Sequence, residues 1–266
     1  MKIILLLSTV VSSVAAAALL TSSGSANQVA KTPPGPARVP VVVELFTSEG
    51  CSSCPAADAA LRELEMAQSV PGVEVIALGE HVDYWNRLGW KDPFSSAQFT
   101  ERQRTYAAGF GTGSYTPQAV VNGRYEFVGS QRGKLTEAIA RAAQAPRATV
   151  QLSRAITGKL AIKVDALPAG TAPTEVLLAL TETSLSTQVG RGENSGRLLR
   201  HAAVVRELRP LGSPAADGTF AASVPLQLNP VWKTANLRAV VLVQEKASRR
   251  IVGVGVLGLN SALSEQ

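Results

Sequence analysis

The chain has two cysteines, and they stand three apart in Cys51-Ser52-Ser53-Cys54. They follow closely on Val39 to Phe46, a nearly continuous β-branched run of the kind expected in a strand buried on both faces. Pro55 to Glu65 then reads as a helix. Its alanines, leucines and glutamates favour that state, and proline is tolerated in a first turn. The pair therefore sits where a strand hands over to a helix. A C-x-x-C in that place reads as a thiol–disulfide redox site, because the spacing closes a small ring and a helix N-terminus stabilises a thiolate. The alternative is a structural bond, but so short a loop removes little unfolded-chain entropy and makes a poor staple.

The compartment decides what those thiols do. Lys2 followed by the apolar, small-residue run Ile3 to Leu20 reads as an export signal across 1–26, with cleavage expected after Ala18 or Ala26. Ser8, Thr9, Ser12 and Ser13 interrupt the run, which favours cleavage over retention as an anchor, so no stable membrane span is expected. The stretch 27–38, with Pro33, Pro34, Gly35 and Pro36, reads as a linker. A periplasmic or secreted location follows, where a disulfide forms and persists.

At 266 residues, 45% hydrophobic and 17% charged, the chain suits one large or two ordinary globular domains. The net charge of +6 comes without a Lys/Arg cluster, so no nucleic-acid partner is expected. Val73 to Leu78 reads as a second strand parallel to the first. Ser95 or Ser96 is expected to cap a helix running through Phe99 to Ala108. Asn122-Gly123 marks a hairpin between Gln118–Val121 and Arg124–Val128, and Leu135 to Ala143 reads as a further helix. From Ala148 the alternating period dominates, with strands expected at 149–154, 160–166, 176–182, 202–208, 220–226, 239–244 and 250–259. The expected architecture is an α/β domain across 39–147 followed by an all-β sandwich across 148–262.

The order strand, C-x-x-C, helix, strand, helix, Thr-Pro, hairpin, helix resembles the thioredoxin fold. The likeness rests on Cys51-Ser52-Ser53-Cys54-Pro55, Tyr115-Thr116-Pro117 and Asn122-Gly123. It implies a cis Pro117 packed beside the cysteines, with Thr116 and Pro117 as a substrate-binding edge that pairs with an extended chain. The whole chain resembles a bacterial family of exported thioredoxin-like proteins of unknown function. That resemblance rests on Phe46 to Pro55, His81-Val82-Asp83-Tyr84-Trp85, Leu88 to Phe94, Tyr115 to Gln118, and Gly192-Glu193-Asn194 with His201. Thioredoxin itself differs: Gly50 precedes the first cysteine here, and the buried carboxylate of that fold has no clear match, Glu44 lying one position out of register.

Cys51 is the expected nucleophile and the more exposed thiol, and Cys54 the expected resolving thiol. His81, at the carboxyl end of the second strand, and Glu49 are candidates for proton transfer. The loop Arg191 to Arg197 reads as a plain surface loop between strands, with docking against the redox half as the alternative. The leading function is an exported thiol–disulfide oxidoreductase whose partners are protein thiols or disulfides of the cell envelope. No cofactor is expected, since no nicotinamide or flavin motif is present. No resident metal is expected, because one C-x-x-C supplies two ligands where structural zinc wants four. Two alternatives compete: a soft-metal handling protein using Cys51, Cys54 and His81, and a non-catalytic binding module with a structural disulfide.

Overall fold

The computed structural model describes residues 38–154 and 158–260. The expected export segment 1–26 and residues 27–37 of the linker lie outside the described residues.

The first half alternates as expected. Strand β1 (Val39–Thr47) leads through the cysteine loop into helix α1 (Cys54–Ala67), and β2 (Val73–His81) runs parallel to β1. Gln68 ends α1 in the left-handed region at φ 48°. Its side-chain amide then pairs with the Val75 backbone on β2, accepting at 2.7 Å and donating at 3.0 Å, which fixes the helix against the strand. Helix α2 (Ala97–Phe110) starts at Ser96, whose hydroxyl accepts from the Gln98 N–H. The hairpin β3 (Gln118–Val121) and β4 (Tyr125–Val128) turns through Asn122-Gly123, both at positive φ, and helix α3 (Arg132–Ala142) follows.

The second half supplies β5 (Thr149–Arg154), β6 (Lys159–Asp165), β7 (Thr174–Glu182), β8 (Ser186–Gln188), β9 (Leu198–Arg200), β10 (Val204–Gly212), β11 (Phe220–Pro225), β12 (Leu237–Glu245) and β13 (Ile251–Gly258). The short pair β8–β9 has no counterpart among the strands expected from the sequence. Three residues per strand are too few for a period to register.

The division at Ala148 does not separate two sheets. The order β13-β12-β7-β10-β2-β1-β3-β4 makes one mixed eight-stranded sheet from both halves. The join is β10 beside β2, parallel through Val204 and Gly79, with the Gly79 N–H donating to Ala203 O at 2.6 Å. Gly79 permits it, since a Cβ there would come 3.3 Å from Ala203 O. The second half adds one separate sheet, the three-stranded β11-β6-β5, rather than the expected self-contained sandwich. Its Leu160, Ile162 and Val164 pack on Val176, Leu178, Leu180, Ala239 and Val241 of β7 and β12. The strands it packs on belong to the eight-stranded sheet, which continues from the first half.

The large sheet curls until β13 touches β1. Ile251 N donates to Asn122 O at 2.9 Å, and Asn122 in turn bonds Val42 through both its N–H and its side-chain oxygen. Inside the curl lie Val42, Ile76, Leu78, Leu177, Ala179, Leu208, Val240 and Leu242, with Phe99 of α2. On the outside, α1 and α3 cover Val41, Val43, Leu45, Val75 and Ala77.

Glu44 does point away from α1, as its register requires. It is buried inside the curl, where Arg102 donates to its Oε1 at 2.7 Å and Tyr106 to its Oε2 at 2.6 Å. Glu80 and Gln244 complete this cluster. Burial and then Glu44 push the Glu80 carboxyl well above the ordinary glutamate range. Among the described residues, no helix is long and apolar enough to cross a membrane.

Candidate functional site

The parallel register of β1 and β2 sets Thr47 opposite His81, so the cysteine loop and the His81 segment leave the sheet at the same edge. The loop is tied by Cys51 N to Ser48 O and by Cys54 N to Cys51 O, each at 3.2 Å. Cys51 and Cys54 are joined in a disulfide, with Cys54 the first residue of α1. Gly50 lets Trp85 pack closely: a Cβ there would lie 3.1 Å from Trp85 Cβ. Trp85 in turn donates from Nε1 to Thr116 Oγ1 at 2.9 Å. Trp85 thus links the cysteine loop to the Thr116–Pro117 peptide, which is cis, as the resemblance implies. Pro117 is buried.

Exposure of the thiol positions differs from expectation. Cys51 is 0% exposed, the same as Cys54. The loop between β8 and β9, from the second half of the chain, packs on the cysteine loop. Asn194 is fully buried, and its Nδ2 donates to the carbonyls of both Glu49 and Cys51 at 2.9 Å. Arg197 donates to Asn194 Oδ1 at 2.7 Å, which fixes the amide's orientation. Ser52 N donates to Glu193 Oε2 at 3.0 Å. Gly190 and Gly192 bring the loop backbone against Trp90, where a Cβ on either would lie 3.3 Å from the ring or its Cβ. The stretch 191–197 is therefore no plain surface loop. A run of glycine and polar residues looks solvent-facing in sequence, but here its polar groups satisfy backbone groups of the cysteine loop.

Around the disulfide lies a buried set of ionisable groups. Glu49 is held between the two halves, accepting from Trp90 Nε1 at 2.7 Å and lying 2.9 Å from His201 Nε2. Asp92 lies 2.7 Å from His81 Nδ1 and also accepts from the Glu49 N–H at 2.9 Å. The chain has two histidines, and their ring centroids stand 4.9 Å apart, both edge-on to Phe94. His81 Nε2 and His201 Nδ1 are buried without a protein partner among the described residues. One helical turn after Cys54, Asp58 is buried with Thr47 Oγ1 donating to it at 3.0 Å.

These surroundings shift the titrations. Burial pushes Asp58 above the ordinary aspartate range, against the opposing pull of His81 and His201. Burial alone would lower His81, but Asp92, then Asp58 and Glu49, outweigh it and leave His81 raised. Asp92 is lowered: burial opposes ionisation, and His81 and the Glu49 and Phe94 N–H groups overcome it. The arrangement gathers proton donors and acceptors on the segments that flank the disulfide.

Of the residues singled out in the sequence, Cys51, Cys54, Glu49 and His81 come together. Thr116 is tied to Trp85, which packs on Gly50 of the cysteine loop. His201, Asn194, Asp92 and Asp58 had no place among those candidates. Asp58 had a signal, the i+4 spacing from Cys54; His201 and Asn194 carry none that the spacing to Cys51 reveals. Among the described residues, no group of three or more His, Cys, Asp or Glu side chains is arranged to hold a metal ion.

A family model described as "Protein of unknown function (DUF1223)" matches residues 42–244. Among solved structures, the chain is similar to protein AGR_C_4864 from Agrobacterium tumefaciens, at 31% identity and a TM-score of 0.66. That match covers 85% of this chain and 97% of the other. Two further matches, each at 13% identity, carry no argument at TM-scores of 0.23 and 0.22. They are an endonuclease/exonuclease/phosphatase from Beutenbergia cavernae (46% of this chain, 24% of that one) and a domain of the outer membrane lipoprotein Omp28 from Porphyromonas gingivalis (43% and 89%). No curated protein matches the chain. With more than half its length matched by the family model, and with a relative of 31% identity aligned over nearly its whole length, the chain belongs to the DUF1223 family of unknown function.

Proposed function

We propose that this protein is an exported thiol–disulfide oxidoreductase acting through Cys51 and Cys54 on protein thiols or disulfides of the cell envelope. The observation that carries the reading is the small-ring disulfide at the start of α1, set among the buried acid–base groups Asp58, His81, Glu49 and His201. A bond across three positions contributes little as a staple, so these groups have no evident purpose around a purely structural link. The order of elements from β1 to α3 supports the thioredoxin-like reading, and the leader-like 1–26 supports export.

In the reducing direction, the Cys51 thiolate attacks one sulfur of a substrate disulfide and one substrate thiolate leaves. Cys54 then attacks Cys51 Sγ, which restores the Cys51–Cys54 bond and releases the second substrate thiolate. Two electrons pass from the dithiol to the substrate. In this reading Asp58, one helical turn from Cys54, accepts the Cys54 proton.

One observation favours a structural bond instead: both sulfurs are covered. The two readings separate by trapping in cells. Cys54→Ser is expected to accumulate mixed disulfides with envelope proteins, and Cys51→Ser far fewer. If neither variant traps a partner while both lose stability, the bond is structural.

A further inference from the structure

Beside the redox site, on the far side of His201, a cavity of about 540 Å³ lies between α1 and the segment leading into the β8–β9 pair. That size suits a small molecule. Its walls hold three arginines, Arg62, Arg200 and Arg238, against one carboxylate, Glu65. Glu65 is already engaged by Arg238 at 3.0 Å. Arg62 donates to the Arg200 backbone carbonyl at 2.7 Å, a bond that orients its guanidinium without neutralising it. No carboxylate pairs with Arg62 or Arg200 among the described residues. The remaining lining is small hydroxyls, with Leu185 and the largely exposed Met66 as the apolar part.

A guanidinium offers five donors in a planar fork that matches an oxyanion in two-point contact. The geometry points to a binding site here for a small organic oxyanion, held by Arg62 and Arg200 with its carbon body against Met66 and Leu185. His201 lines this cavity while its Nε2 bonds Glu49 beside Cys51, so the site adjoins the disulfide without using it. The inference stands apart from the thiol-exchange reading, since it requires no chemistry at the cysteines.

Isothermal titration calorimetry on the oxidised protein tests it. The probes are succinate and glycerol phosphate, with neutral succinamide as the control. At least one of the anions is expected to bind, succinamide is not, and the double variant Arg62→Gln/Arg200→Gln is expected to weaken binding at least about tenfold. The two anionic arms distinguish a carboxylate from a phosphate ligand. Both arginines are on the surface side of their elements, and circular dichroism with a melting curve checks that the variant folds. Absence of heat with both anions, or affinity unchanged in the folded double variant, overturns the site.

Discussion

Replacing Asn194 with alanine should expose the disulfide to small reductants. The side chain is fully buried, and its Nδ2 makes two of the bonds that hold the β8–β9 loop over the cysteine loop, to Glu49 O and Cys51 O. At about 1 kcal/mol net for each hydrogen bond, Asn194→Ala costs the docked loop about 2 kcal/mol. If reduction requires the loop to open, the open population rises by the same free energy, about thirtyfold. The assay is the pseudo-first-order reduction of Cys51–Cys54 by dithiothreitol, quenched with a maleimide and read as a mass shift. A folded variant elsewhere that loses similar global stability should leave the rate near wild type, because the loop stays docked. Reduction of Asn194→Ala at the wild-type rate, with the variant folded, would mean that reductant reaches the sulfurs without displacing this loop. The cover would then have no part in controlling access.

Arg102→Met should cost about 3–5 kcal/mol in urea unfolding, because it strands Glu44 and Glu80 inside the curled sheet. Glu80 is raised in the folded state, so the native protein keeps a proton that the unfolded chain releases near the ordinary value of 4.5. Its contribution therefore makes stability fall as pH rises above that value, and Glu80→Gln should flatten the fall in urea midpoints measured from pH 5 to 8. His81 is raised in the folded state from its ordinary 6.5, so its pairing stabilises fully below 6.5 and is lost as pH rises through the folded pKa. Asp92→Asn should lower the His81 midpoint in an NMR titration; an unchanged midpoint would remove Asp92 as its cause. Gly123→Ala should destabilise by about 2 kcal/mol or more, read by chemical denaturation. Gly123 sits at φ +62°, and an added Cβ would lie 2.0 Å from Arg249 O, where the β3–β4 turn meets the turn before β13.

The local sequence determined the elements. The β-branched run at Val39, the proline after Cys54, Ser96 before α2 and Asn122-Gly123 each act through their immediate neighbours, and each element lies where those residues put it. Alternation in the second half likewise located β5, β6, β7, β10, β11, β12 and β13, because period two reports which residues share a face. It does not report which strand lies alongside. The partner of β2 is β10, more than a hundred residues onward, and what admits it is the bare Gly79 backbone meeting Ala203 O. That choice joined two expected domains into one sheet. The candidate site divides along the same line. Cys51, Cys54, Glu49 and His81 were legible because each sits beside a strand end or helix start that the local pattern marks. Asn194 and His201 stood out only as part of the family resemblance and of the docking alternative, not as site residues, since hydrogen bonds to Cys51 O and Glu49 Oε1 exist only after the sheet has curled and brought the β8–β9 segment over the cysteine loop. Chain chemistry near Cys51 thus specified a reducible pair, and tertiary packing alone decided that the pair would be buried and acid–base groups gathered around it.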